Sequence, residues 1–124
     1  MPFTKTKAVI GGAILYELYK KYTNRRDQYK TALKQAKKNC KEQTSGPDRE
    51  RCMHKAMASF YRNMAKLELD QVRHLQSAAA SPTRIQIHQK RAQYYKELAR
   101  MMANPNMPIS KARETVQDRM GPMA

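Results

Sequence analysis

At 124 residues, with 40% apolar and no Trp, the chain has room for three or four helices around a thin core and none for a deep substrate cleft. Nine Met and two Phe make that core soft, because Met fills space without specifying shape. Twenty-five Lys and Arg against ten Asp and Glu leave a net charge of +15, which calls for polyanionic surroundings: nucleic acid, anionic lipid headgroups or acidic neighbouring subunits.

The first element runs from Ala8 to Cys40 with no Pro to break it. Leu15, Tyr19, Tyr22, Arg26, Tyr29, Leu33, Ala36 and Cys40 recur at alternating steps of four and three, a helical seam spoiled only by Arg26. Its roughly 33 residues would extend about 50 Å as one rod. The front of the rod, Ala8, Val9, Ile10, Gly11, Gly12, Ala13, Ile14, Leu15 and Tyr16, continued by Leu18 and Tyr19, reads as a membrane-associated segment. Taken from Thr4 to Tyr22, with Lys5 and Lys7 reaching one headgroup layer and Lys20 and Lys21 the other, it just spans a bilayer at about 28 Å. Lying in the interface and packing as an ordinary protein helix are the alternatives. Glu17 is the awkward residue for a span, and no small-residue cleavage site follows to make the segment a leader.

The rest of the rod is basic. Lys20, Lys21, Arg25, Arg26, Lys30, Lys34, Lys37, Lys38 and Lys41 are opposed only by Asp27, and Lys30, Lys34, Lys37 and Lys41 share one face spaced to follow phosphates. That face has no residue set suited to base edges, so nucleic-acid binding there would be independent of sequence. A solvated face is the plainer account.

Thr44-Ser45-Gly46-Pro47-Asp48 has turn chemistry, with Asp48 expected as the cap of a second helix over about Arg49 to Ala79. Met53, Met57, Phe60, Met64, Leu67, Gln71 and His74 give that helix a seam, and the short connection makes it antiparallel to the first. Cys40 and Cys52 flank the turn at one level, a candidate disulfide; two reduced packing cysteines are the alternative.

Ser81-Pro82 opens a third helix reaching about Ala103. It carries two apolar stripes, Ile85, His88, Ala92, Tyr95, Ala99 and Met102 beside Ile87, Tyr94, Leu98 and Met101, too wide for one neighbour to cover. Ile85, Ile87, Tyr94, Tyr95, Leu98, Met101 and Met102 are therefore expected at a protein interface. Ser110 to Met120 reads as a short basic terminal helix.

The expected architecture is all-α: a long N-terminal helix, apolar then basic, in an antiparallel hairpin with a second helix, plus a third amphipathic helix and a short C-terminal one. Residues 1–22 form the membrane-associated segment, 23–80 the Cys-flanked hairpin and 81–124 the third helix and basic tail. Cys52 and His54 point apart on their helix and make a poor metal pair; His54, His74 and His88 lack a nucleophile, and Glu68 and Asp70 do not converge by spacing. No catalytic residue, metal ligand, cofactor or small-molecule substrate is expected. The expected role is a non-enzymatic subunit of a membrane-bearing assembly, a virion with a membrane or an organellar complex, with other subunits and membrane lipid as partners and a membrane-associated location. A nucleic-acid packaging or ribosome-associated protein is the alternative.

Overall fold

The computed structural model describes residues 2–121, with side chains from Ile14 onward. Four helices follow one another: α1 Pro2–Gln43, α2 Gly46–Ser77, α3 Pro82–Met102 and α4 Ile109–Met120. Among the described residues there is no strand, and the all-α expectation holds. Ala8 to Ala13 lie outside the residues whose side chains are described.

Each reversal has a local cause. At the first, the Thr44 backbone N–H and hydroxyl both donate to the Cys40 carbonyl, and the Arg49 guanidinium reaches back to the carbonyls of Thr44 and Lys41. These bonds satisfy carbonyls that the end of α1 leaves open. Ser45, not Asp48, stands at the N-cap of α2; Asp48 lies in the first turn, where a carboxylate meets the positive end of the helix. At the second reversal Ala80 N–H bonds the Leu75 carbonyl and Ala79 N–H that of Gln76, a left-handed helix stop with Ala79 at φ 53°. Ser81 then caps α3 by accepting from the Arg84 N–H, with Pro82 in the first turn, as the sequence predicts.

The central element is α2. It packs against α1 on one side and α3 on another, while α4 packs on α3. The predicted α2 seam is half right: Met57, Met64, Leu67 and Gln71 are buried, Met53 and Phe60 are partly buried, and His74 is exposed. A second seam at the same four-three steps, His54, Ala58, Tyr61, Ala65, Glu68, Val72 and Leu75, is buried throughout. The larger core cluster joins Met57, Ala58 and Tyr61 to Tyr94, Leu98, Met101 and Met102 of α3 and to Ala112 and Val116 of α4.

That packing corrects the expected interface on α3. Tyr94, Leu98, Met101 and Met102 are buried within the chain, and Ile85, Ile87 and Tyr95 are half-buried. The helix does need two neighbours, and both belong to its own chain: α2 and α4.

Candidate functional site

The two polar members of the second α2 seam have different work. His54 sets Nδ1 2.8 Å from the Glu50 carbonyl and Nε2 2.5 Å from the Met107 carbonyl, tying α2 to the α3–α4 connection. The ring is thus a strut, and Cys52 turns instead to Cys40. The two cysteines sit in disulfide geometry, Cα atoms 5.7 Å apart, within the range a bridge requires.

Glu68 is fully buried where α1, α2 and α3 meet. Its Oε1 accepts from the Tyr22 hydroxyl, and its Oε2 lies 2.5 Å from His88 Nδ1. Tyr22 meets His88 edge to face at 5.1 Å between centroids, and the Arg26 guanidinium lies over the Tyr22 ring at 5.9 Å. Burial, and then Glu68, push the Tyr22 hydroxyl far above the ordinary phenol range, against the opposing charge of Arg91. A buried carboxyl without partners would be costly, so these bonds are what allows Glu68 to occupy a seam position. Sequence spacing misses this cluster because Tyr22, Glu68 and His88 come from three helices. The available signal is the second heptad row of α2, disguised because Glu68 and His54 interrupt its apolar members.

Beside the cluster, residues of α1 and α3, with Gln71 and Leu75 of α2 between them in sequence, line a groove of about 630 Å³. Leu15, Leu75 and Ile87 give it apolar lining, Tyr16, Tyr19 and Tyr22 an aromatic side, and Arg26, Arg84 and Arg91 its charge. None of its lining residues is acidic.

Comparison with protein-family models, with curated proteins and with solved structures finds no match.

The predicted basic residues all lie along α1. Three have an acid within ion-pair distance: Arg25 with Asp70 at 3.8 Å, Arg26 with Asp27 at 3.7 Å and Lys38 with Glu42 at 3.9 Å. Lys20, Lys21, Lys30, Lys34, Lys37 and Lys41 make no ion pair among the described residues, so the track keeps most of its charge. Of the predicted membrane segment, Ile14, Tyr16 and Tyr19 are 45%, 64% and 62% exposed, while Leu15 and Leu18 are half-buried against the bundle. Tyr19 therefore leaves the predicted seam.

The spanning form of the membrane expectation is corrected. Among the described residues no helix is long and apolar enough to cross a membrane. The physical reason is charge: Lys5, Lys7, Glu17, Lys20 and Lys21 crowd any window of spanning length.

Proposed function

We propose that this chain is a non-enzymatic accessory subunit of a membrane-bearing assembly, seated by the front of α1 lying in the bilayer interface. One observation carries the reading. Ile14, Tyr16 and Tyr19 stand exposed directly after the apolar run from Ala8 to Ala13. Tyrosines favour such a half-wet level, and Lys20 and Lys21 follow at headgroup height.

The register of the hairpin supports it. Cys40 faces Cys52, Tyr22 meets Glu68 and Arg25 meets Asp70, so α2 runs out near Leu15. By that register α1 continues N-terminally for about 13 residues, or about 20 Å, beyond its neighbour. Packaging of nucleic acid would instead call for this apolar stretch to be covered by protein.

Flotation on vesicles of phosphatidylcholine and phosphatidylglycerol tests the proposal. The full chain should float at physiological salt, whereas the triple substitution Ile14→Ser, Tyr16→Ser, Tyr19→Ser and a deletion of residues 1–18 should stay with the soluble fraction. If the triple variant floats as well and salt alone strips it, the attraction is that of the lysine track, and polyanion packaging replaces the membrane reading.

A further inference from the structure

The groove between α1 and α3 combines three features that one class of ligand would use together. Its lining is cationic, with Arg26 and Arg84 reaching it from opposite helices and no acid among the lining residues. Glu68 stands close by, but Tyr22 and His88 already occupy its two oxygens. Arg84 makes no ion pair among the described residues, and in Arg26 it is the buried Nε that faces Asp27 at 3.7 Å, while its two terminal nitrogens make no hydrogen bond among the described residues. A planar guanidinium with donors to spare is suited to phosphate oxygens.

The second feature is the apolar lining of Leu15, Leu75 and Ile87, which a free phosphate or a nucleic-acid backbone would leave wet. The third is place. The groove lies at the end of the bundle from which α1 runs on toward Ala8, next to exposed Tyr16 and Tyr19, and away from the Lys30 to Lys41 track.

We propose that this groove holds one anionic phospholipid, its phosphate bound by Arg26 and Arg84 and its acyl chains lying along Leu15, Leu75 and Ile87. The proposal rests on the membrane reading above and deepens it, from attachment to a surface to recognition of a single lipid. Bound there, the lipid adds a second link between α1 and α3 beside the Tyr22–His88 contact. Arg91, which interacts with Tyr22, also lines the groove.

The test uses the full chain and a water-soluble probe, dihexanoyl-phosphatidylglycerol below its micelle concentration, titrated calorimetrically and by tyrosine fluorescence. Saturable binding of one molecule per chain is expected. Both Arg84→Glu, at an exposed position in the first turn of α3, and Ile87→Asp should weaken it by at least about tenfold, and inorganic phosphate should give no saturable signal. A single-stranded oligonucleotide should fail to displace the lipid. Unsaturable binding, equal affinity in both variants, or displacement by the oligonucleotide would overturn the proposal. Vesicle flotation separates the two ideas: a chain that floats but ignores the soluble lipid refutes the groove alone, and one that binds the soluble lipid but never floats refutes membrane seating alone.

Discussion

Glu68 is the residue on which the three long helices converge, and its partners are what make its burial tolerable. Removing the Tyr22 hydroxyl leaves the carboxyl one bond short in a place water does not reach. Tyr22→Phe is expected to destabilise the chain by about 1–3 kcal/mol, measured by urea unfolding at neutral pH. The same hydroxyl sets an alkaline limit. Its folded pKa is raised, so the folded chain holds a proton that the unfolded chain releases near the ordinary value of 10.0. Stability present below about pH 10 should therefore decline as pH rises above it, and this added loss should be absent from Tyr22→Phe. Parallel alkaline profiles for the two proteins would contradict the assignment.

At the level of elements, the hairpin is held by both its sequence and its side chains. A Cys40–Cys52 bridge closes a short loop, so the chain-entropy argument assigns it about 3 kcal/mol at best. The intact mass of native protein should be lighter by about two hydrogens than after reduction, and Cys52→Ser should lower the unfolding midpoint. Two thiols freely alkylated in native material would show the pair reduced instead. The turn from α2 to α3 offers a gain in the other direction. Ala79 adopts φ 53°, where a β-carbon is strained and glycine is not. Ala79→Gly should stabilise the chain by up to about 1 kcal/mol, read as a rise in melting temperature. No change, or a fall, would mean that the unfolded chain's added freedom outweighs the relief.

For the whole molecule, the decisive fact is that α2 is wrapped on two sides. Leu98 and Tyr94, which the sequence assigns to a partner, lie in the core between α2 and α4. Leu98→Ser should accordingly unfold the chain, at a cost of about 2–5 kcal/mol in chemical denaturation, rather than leave a folded subunit that fails to assemble. A variant with native unfolding parameters would restore the interface assignment. Left uncovered are Ile14, Tyr16 and Tyr19 at the front of α1, the groove beside them and the lysines along the rod that make no ion pair among the described residues. All three lie on or beside α1, the helix that also buries Tyr22 and Cys40 against α2.

The sequence alone determines the helices, their order, the reversals and the cysteine register, because each depends on local periodicity, caps and short connections. Ser81-Pro82, the four-three steps of Met57 to Gln71, and the twelve-residue spacing of Cys40 and Cys52 are all legible without coordinates. Which face is covered by which neighbour is not legible, because two apolar stripes on α3 look the same whether α4 or another chain lies over them. The Glu68 cluster is hidden for a related reason. A carboxyl can occupy a core seam only when donors from distant helices satisfy it, and Tyr22 and His88 lie 46 and 20 positions away. Only the tertiary structure brings them within reach, and it also assembles the groove beside them from residues of all three helices.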